Sequence, residues 1–379
     1  MSTAGARHLY VHLPFCASRC GYCDFVTVVG RADAHGRYVD ALLAELALEL
    51  DLLAPELETV YLGGGTPTLT VPDELERLLR ALPAAKEVTV EANPETVTPD
   101  LARLLARTGV DRVSIGAQTF HMHLLDVLER RAKPDDVRGA VHRLRDAGID
   151  NVSLDLIYGI PGQKPADLAR DHAEVVALEL EHVSAYELEA KPGTRFTHAY
   201  GAELERQAEA MEGSFEQVVD ALTDAGFRWY ETSSFCRASS AAGGRDLRAR
   251  HNLGYWLGHD YLGIGVGAVS TIESRRWRNA PSLAGYLDAL GRGLGGSRPP
   301  AREVEELTEA TRAAERVMLG LRLDEPLALG GLGSAVELDE LERLERLGLA
   351  ERTPAGLTLT RRGRFLGGGV TARLLAVPG

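Results

Sequence analysis

Short apolar or β-branched runs alternate with amphipathic stretches of helical period from residue 8 to about residue 190. Strands that are covered on both faces of a parallel sheet are nearly continuously apolar, and each of these runs has that character. Repeated strand–helix units place their strands parallel to one another in one sheet. The sequence therefore predicts six parallel strands, at residues 8–13, 58–63, 87–92, 111–116, 151–159 and 182–189.

The stretches between these strands predict helices, several of which begin with proline, a residue favoured in the first helical turn. The predicted helices are 38–53, 72–82, 99–108, 134–147 and 165–178. This series predicts an α/β fold, a partial (β/α)6 barrel with its functional residues at the C-terminal ends of the strands. Five unusual segments follow predicted strands and are expected to meet on that face: the cysteine loop 16–23, GGGTPT (63–68), EANPE (91–95), GAQTF (116–120) and YGIPG (158–162).

The strand–helix alternation weakens after residue 195, where the domain character changes. The patterns there predict a helix at about 203–226, a short strand at 228–232 and a glycine-rich linker at 238–245. We predict a barrel at 1–200, a barrel-associated extension at 201–300 and a C-terminal winged-helix-like domain at 301–379. Acidic residues near the hairpin of the last domain favour docking to a protein over binding to DNA.

Composition narrows the class of protein. A chain of 379 residues with 45% hydrophobic and 26% charged residues is typical of a globular protein with more than one core. A net charge of −13 disfavours a nucleic-acid partner, because such proteins concentrate Lys and Arg. The first fifteen residues lack a signal-peptide pattern and no apolar run reaches eighteen residues, so we expect a cytoplasmic protein without a transmembrane segment.

Cys16, Cys20 and Cys23 offer three thiolates within eight residues. Thiolates are the ligands of iron–sulfur clusters, and three protein ligands on a cluster of four irons leave one iron open to an exchangeable ligand. We therefore predict a 4Fe-4S cluster on these cysteines. Two alternatives stay open on the residues alone: a zinc ion completed by His12 or a distant histidine, and a disulfide.

The segment YVHLPFCASRCGYCDF (10–25) resembles the cluster loop of radical S-adenosylmethionine enzymes, and in particular of the oxygen-independent coproporphyrinogen oxidase group. The resemblance continues over most of the chain. Similar segments follow in the same order: YLGGGTPT (61–68), VEANPETV (90–97), VSIGAQTF (113–120), SLDLIYGIPGQ (153–163), YETSSF (230–235) and RHNLGYWLGHDYLGIGVGA (250–268).

The resemblance implies that S-adenosylmethionine binds beside the cluster and is reduced by one electron, releasing methionine and an adenosyl radical. Within this resemblance, Glu91 suits a ribose diol because a carboxylate accepts hydrogen bonds from hydroxyls. Arg130 suits the methionine carboxylate because guanidinium pairs with it bidentately. The positions that match cofactor contacts are Tyr10, Tyr22, Gly64, Gly65, Thr66, Glu91, Gln118, Arg130 and Asp155.

Position 25 separates two branches of this group. The oxidases continue the cluster loop with a fourth cysteine, where this chain has Phe25. The C-D-F ending instead resembles the sister group of heme chaperones, which carry a His-Asn-x-x-Tyr-Trp motif. That motif is present here as His251, Asn252, Tyr255 and Trp256.

The resemblance implies that His251 is a ligand of heme iron. A histidine that is merely packed, and Cys236 as a competing thiolate ligand, stay open as alternatives. The chain also departs from the group at Val269 and Ala132, where histidine is common, and heme coordination is therefore expected elsewhere.

Together these features predict a heme chaperone that binds heme, a 4Fe-4S cluster and S-adenosylmethionine and transfers heme to an acceptor protein, a respiratory protein among the candidates. A homodimer is a further expectation. The alternative is an oxygen-independent coproporphyrinogen III oxidase, which would decarboxylate its substrate to protoporphyrinogen IX. A DNA-docking regulator is a third hypothesis that the acidic balance of the chain disfavours.

Overall fold

The computed structural model describes residues 5–191, 195–238, 243–291 and 298–375. Its strands are β1 (His8–Leu13), β2 (Phe15–Cys16), β3 (Val28–Val29), β4 (Leu57–Gly64), β5 (Ala85–Ala92), β6 (Arg112–Gln118), β7 (Asn151–Tyr158), β8 (His182–Glu187), β9 (Phe227–Glu231), β10 (Ser234–Arg237), β11 (Tyr261–Ile264), β12 (Val269–Ile272), β13 (Arg275–Asn279), β14 (Arg302–Glu306), β15 (Ala350–Thr353) and β16 (Gly356–Leu359).

Its α-helices are α1 (His35–Glu49), α2 (Pro72–Ala81), α3 (Pro99–Arg107), α4 (Met122–Val127), α5 (Pro134–Asp146), α6 (Pro165–Ala177), α7 (Arg195–Gln207), α8 (Met211–Asp224), α9 (Arg250–Trp256), α10 (Leu283–Leu290), α11 (Glu309–Gly320), α12 (Leu338–Arg346), α13 (Arg361–Phe365) and α14 (Gly367–Leu374). Within the described ranges, none of the helices is long and apolar enough to cross a membrane.

A twelve-stranded mixed sheet forms the centre of the fold, in the order β14-β13-β12-β11-β1-β4-β5-β6-β7-β8-β10-β9. The six predicted strands are β1 and β4 to β8, which lie side by side and parallel. The sheet does not close on itself within the described residues, because β14 and β9 are its two ends. The prediction of an α/β fold with a partial barrel is confirmed.

The two faces of the parallel strands differ in chemistry, because successive side chains of a strand point to opposite faces. In β1, Leu9 and Val11 belong to the main hydrophobic cluster, which includes residues of the helices. Tyr10 lies on the other face, where its ring stacks on that of Tyr61 with 6.2 Å between centroids. The face that carries Tyr10, here called the inner face, is therefore rich in polar side chains. The opposite or outer face, which carries Leu9 and Val11, holds the apolar core.

Four of the predicted helices are α2, α3, α5 and α6, each with proline in its first turn as expected. Two predictions of helix bounds were wrong. The first helix begins at His35 and ends at Glu49, where a 3-10 turn continues the chain, and does not cover 38–53. The single helix predicted at 203–226 is two helices, α7 and α8, joined by a 3-10 turn at Ala208–Ala210.

Residues after 200 extend the same sheet at both sides. Strand β11 pairs in parallel with β1, with Tyr261 opposite His8 and Ile264 opposite Val11. Strands β10 and β9 continue the sheet beyond β8 in antiparallel pairs. The sheet runs on through β14, past the boundary predicted near residue 300, and part of the predicted 238–245 linker lies outside the described residues. The division into three regions stays a prediction.

The C-terminal segment has a hydrophobic cluster of its own, which contains Val317, Leu341 and Leu374. Helix α12 is followed by the antiparallel hairpin of β15 and β16, the element order predicted for a winged helix. That assignment stays a prediction. Arg228 of β9 donates to both carboxylate oxygens of Asp324, each at 2.8 Å, and so joins the sheet to this segment.

Candidate functional site

A cavity of about 960 Å³ opens at the C-terminal ends of the parallel strands. That position agrees with the general location of active sites in folds of this kind. It brings together eleven of the predicted site residues: Cys16, Cys20, Tyr22, Cys23, Gly64, Gly65, Thr66, Glu91, Gln118, Arg130 and Asp155. Tyr10 and His251 are not among its lining residues.

The three cysteines of the loop are free thiols at one end of this cavity. Cys16 ends β2, and its sulfur lies 3.8 Å from Thr66 Oγ1. The amide of Cys23 donates to the carbonyl of Cys20 at 3.2 Å, which folds the loop into a turn. Within the described ranges, no three His, Cys, Asp or Glu side chains gather as the ligands of a single metal ion. A four-iron cluster binds each thiolate to a different iron.

His12, the residue considered as a fourth zinc ligand, has both ring nitrogens engaged. Its Nε2 lies 2.8 Å from the carbonyl oxygen of Val26, and its Nδ1 lies 3.0 Å from the hydroxyl of Tyr10. The ring is buried. In this structure His12 holds the end of the cysteine loop against β1 and has no nitrogen free for a metal.

Gly64 and Gly65 pack so closely against the protein that any side chain would collide. Gly64 has a φ of +112°, and a Cβ there would lie 2.5 Å from the ring of His12. A Cβ on Gly65 would lie 2.6 Å from the backbone of Pro14. The amide groups of this turn donate within the protein, that of Gly65 to Leu13 and that of Thr66 to Phe15, each at 2.8 Å. Glycine at these two positions is therefore required by close packing within the protein, and the turn lines the cavity with its amide donors already in use.

Glu91 ends β5 with its carboxylate held from both sides. Its Oε1 accepts from the Tyr61 hydroxyl at 2.7 Å, and its Oε2 accepts from the Gly64 amide at 3.1 Å. Burial raises the pKa of Glu91 to about 7, with Asp155 adding to the effect. Burial likewise raises the pKa of Asp155, whose carboxylate accepts from Ser114. Both groups are poised to accept further hydrogen bonds from hydroxyls of a ligand.

Arg130 reaches the cysteine loop from the turn after α4. Its Nη2 donates to Asn93 at 2.8 Å and to the carbonyl of Gly116 at 2.7 Å, and its Nη1 approaches the sulfur of Cys20 at 3.8 Å. The buried Nε has no hydrogen-bond partner within the described ranges. Gln118, at the end of β6, has a φ of +66°, a strained conformation for a residue with a Cβ. Strain and an unsatisfied donor are both typical of ligand-binding positions.

These residues fit the two groups that the cysteine loop implies. Three free thiols can ligate three irons, Gly64, Gly65 and Thr66 line the cavity beside them, and the buried Nε of Arg130 lacks an acceptor among the described residues. An anionic ligand beside the cluster would supply that acceptor.

His251 lies on the inner face of the sheet and not in the cavity. Its Nδ1 is 2.7 Å from Thr59 Oγ1, its Nε2 is 2.9 Å from the Tyr255 hydroxyl, and its ring stacks on Tyr61. Burial, with a smaller effect of His8, lowers the pKa of His251 to about 3. Both ring nitrogens are therefore engaged, and axial ligation by His251 stays a prediction.

Tyr10 packs beside His251, with 6.4 Å between ring centroids. Two other members of the motif, Asn252 and Trp256, do line the cavity. Cys236 is buried in a small apolar cluster, where burial raises the pKa of its thiol to about 11. A thiol of this kind stays protonated at neutral pH, which disfavours it as a metal ligand.

Sequence reasoning missed the part of the cavity wall that the end of the chain supplies. This part includes Met318, Arg322, Arg364, Phe365 and Leu375. These positions carry no motif, and only the docking of the C-terminal segment against β9 brings them to the site. The residues after 300, predicted as a separate domain, therefore contribute directly to this cavity.

The sequence model of the Radical SAM superfamily matches residues 10–174, the part of the chain that holds the three cysteines and the Gly64–Gly65 turn. Among solved structures, the coproporphyrinogen III oxidase HemN from Escherichia coli, described as a radical SAM enzyme, has a TM-score of 0.80 over 97% of this chain and 90% of that chain. At 23% identity this likeness shows the fold alone. The class is that of radical S-adenosylmethionine proteins.

The heme chaperone HemW of Mycobacterium tuberculosis is 37% identical over 97% of this chain and 94% of its own length. The heme chaperone HemW of Bacillus subtilis is 31% identical over 97% of this chain and 98% of its own length. The chain belongs to the HemW family of heme chaperones within the radical SAM superfamily.

Proposed function

We propose that this protein binds heme together with a 4Fe-4S cluster and S-adenosylmethionine and transfers the heme to acceptor proteins, with a respiratory protein among the candidates. One observation carries the proposal. A single cavity joins the cysteine loop to Asn252 and Trp256 of the His-Asn-x-x-Tyr-Trp motif. Its volume of about 960 Å³ lies at the upper end of the range for ligand pockets, about 300–1,000 Å³.

In this proposal Cys16, Cys20 and Cys23 hold the cluster, which supplies an electron and an open iron for the cofactor. Arg130, with its unsatisfied Nε, binds the carboxylate of the methionine moiety. Glu91 and Asp155 accept hydrogen bonds from the ribose, while Tyr22 and Gln118 confine the cofactor. Tyr10 does not line the cavity, and it contacts His12 and Tyr61 behind these residues.

The oxidase alternative is disfavoured by Phe25, which lines the cavity and is 64% exposed. Phe25 has no atom that could ligate a metal, and it occupies the position of the fourth cysteine of the oxidases. Decarboxylation of coproporphyrinogen III remains the outcome that would replace the chaperone proposal. The cytoplasmic location, the homodimer and the lack of a nucleic-acid partner stay predictions.

The test is an anaerobic titration of the cluster-reconstituted protein with heme, run beside an assay for coproporphyrinogen III decarboxylation with reductant and S-adenosylmethionine. We expect stoichiometric heme binding and no protoporphyrinogen. Formation of protoporphyrinogen under verified cluster loading would favour the oxidase, and absence of heme binding would remove the proposal.

His251 is tested in the same titration. If His251 ligates the iron, it must leave Thr59 and Tyr255, and His251→Ala will change the Soret band and weaken heme binding while the cluster absorbance stays constant. An unchanged Soret band at full heme occupancy would show that the histidine is packed and not a ligand. Cys236→Ser is the matched control, because its buried thiol is expected to leave the heme spectrum unchanged.

A further inference from the structure

Two arginines of the C-terminal segment line the cavity, and they differ in how their positive charge is balanced. Arg322 donates from Nε to Oε1 of the buried Glu231 at 2.7 Å, and its guanidinium lies over the ring of Trp256 at 4.4 Å. Its charge is therefore balanced by a carboxylate. Arg364, on α13, has no such partner among the described residues.

Arg364 is held against Trp229 of β9. Its guanidinium lies over the indole ring at 3.5 Å from the centroid, and its Nη1 donates to the Trp229 carbonyl at 2.8 Å. Its Nη2 is buried and has no hydrogen-bond partner in the part of the chain that the structure describes. A buried donor without an acceptor is unfavourable, and a small shift of the side chain toward a bound anion would satisfy it.

The carboxylates nearest to Arg364 are already paired with other arginines. Burial lowers the pKa of Arg364 to about 10, and Asp324 and Glu231 offset this only in part. Those two carboxylates are already paired with Arg228 and Arg322. Among the described residues, neither carboxylate is therefore free to neutralise Arg364 fully.

The other arginines that line the cavity within the described residues do not offer this combination. Arg130 lies beside Cys20 and is engaged by Asn93 and Gly116. Arg19 is exposed and donates to the carbonyl of Cys23. Arg364 alone combines an unsatisfied donor with a position away from the cysteine loop.

The surface around Arg364 is apolar. Phe365, Leu359, Leu375 and Met318 of the C-terminal segment line the same cavity. A flat apolar ring system packs well on aromatic and methionine side chains, and it is excluded from water there. The pairing of such a surface with one uncompensated cation fits a ligand that is a large apolar ring bearing carboxylates.

We propose that Arg364 binds a propionate carboxylate of the heme, whose ring then lies against the wall formed by the C-terminal segment. This inference rests on the proposed function and adds to it the residue that recognises the acidic edge of the ligand. It also gives the residues after 300 a role in binding the heme.

The test compares the affinities of four proteins, all loaded with the cluster, for two ligands. The ligands are heme and heme dimethyl ester, whose propionates are capped and uncharged. The proteins are the wild type, Arg364→Leu, Arg364→Lys and the control Arg362→Leu, which replaces an exposed arginine of α13 that does not line the cavity. Cluster absorbance and thermal unfolding are recorded for each protein.

We expect the wild type and Arg362→Leu to bind heme about tenfold or more tightly than the ester, since hydrogen bonds to charged groups contribute about 1.5–3 kcal/mol. Arg364→Leu should bind heme as weakly as the ester and leave ester binding unchanged, and Arg364→Lys should restore part of the preference. A wild type that binds both ligands equally would overturn the inference without any variant. Equal loss of both ligands in Arg364→Leu would also overturn it. Absence of heme binding by the wild type would instead remove the proposed function on which it depends.

Discussion

Glu91 shows at the scale of one residue how burial prepares a site. Its carboxylate has two donors, Tyr61 and the amide of Gly64, yet desolvation still raises its pKa to about 7. The folded protein thus holds a proton on Glu91 that the unfolded chain, with a pKa near 4.5, has released. Burial of the ionised Glu91 carboxylate is therefore unfavourable, and hydrogen bonds from a bound ligand would offset this cost.

A pH dependence follows from this difference. Between pH 4.5 and about 7 the unfolded state binds fewer protons at this position, so the stability of the wild type without S-adenosylmethionine falls as pH rises. The loss is at most about 3 kcal/mol for a shift of this size. In Glu91→Gln this part of the pH dependence should vanish. Urea unfolding at a series of pH values, measured anaerobically on both proteins, tests this, and parallel curves would contradict it.

At the same scale, the sequence predicted which residues line the site but not what they already bind. Residues that follow parallel strands share one edge of the sheet by topology, which is why Gly64, Glu91 and Gln118 lie together at the cavity. The partners of His251 are Thr59 and Tyr255. Thr59 is distant in sequence, and no local pattern reveals that its hydroxyl meets the imidazole.

At the scale of elements, helix α9 packs against the inner face of β1. Gly254 makes this approach possible, because a Cβ there would lie 2.7 Å from the ring of His8. The His8 ring is itself fixed, with Nδ1 at 2.8 Å from Thr59 Oγ1 and Nε2 at 3.2 Å from His259. The helix that carries the His-Asn-x-x-Tyr-Trp motif is therefore positioned by a glycine of that motif region.

Gly254→Ala should destabilise the protein by about 1–3 kcal/mol, because the added methyl group overpacks the contact with His8. Gly213→Ala in α8 is the matched control, since a Cβ there meets nothing within 4 Å. The control should be stabilising by about 0.5–1 kcal/mol through its higher helix propensity. Free energies of unfolding from urea titrations compare the two, and equal effects of both variants would be inconsistent with this packing.

The elements that were predicted are those whose pattern is local. Strands β4 to β8 are buried on both faces or nearly so, and their apolar runs are continuous enough to recognise. Strand β11 was missed, because Tyr261–Ile264 is only four residues long and lies among glycines. Strand β11 pairs with β1, although most of the chain separates the two in sequence. Helical and strand periodicities reflect only neighbouring residues and cannot predict such a pairing.

For the whole molecule, the main feature is that two hydrophobic clusters meet at one cavity. The larger cluster belongs to the central sheet, and the smaller one contains Val317, Leu341 and Leu374. The contacts that join them include Arg228 with Asp324, Arg364 with Trp229, and the packing of Phe365 against the larger cluster. We infer that the C-terminal segment can open as a unit while the sheet stays folded.

Leu341→Ala removes a fully buried side chain of the smaller cluster and should cost about 2–5 kcal/mol locally. Hydrogen exchange should then accelerate in residues 317–374, while β4 to β7 keep their protection. Leu347→Ala is the control, because Leu347 is exposed and follows the same helix. An acceleration spread evenly over the chain would show that the two clusters unfold together.

The parallel pair of β1 and β11 has a consequence for synthesis. Strand β1 lies between β11 and β4 in the sheet, and one of its two neighbours is therefore made only when residues 261–264 leave the ribosome. Until then one edge of β1 is unpaired, and an open edge is a template for pairing with the wrong strand. The cysteine loop thus follows a strand whose second edge stays unpaired until most of the protein has been translated.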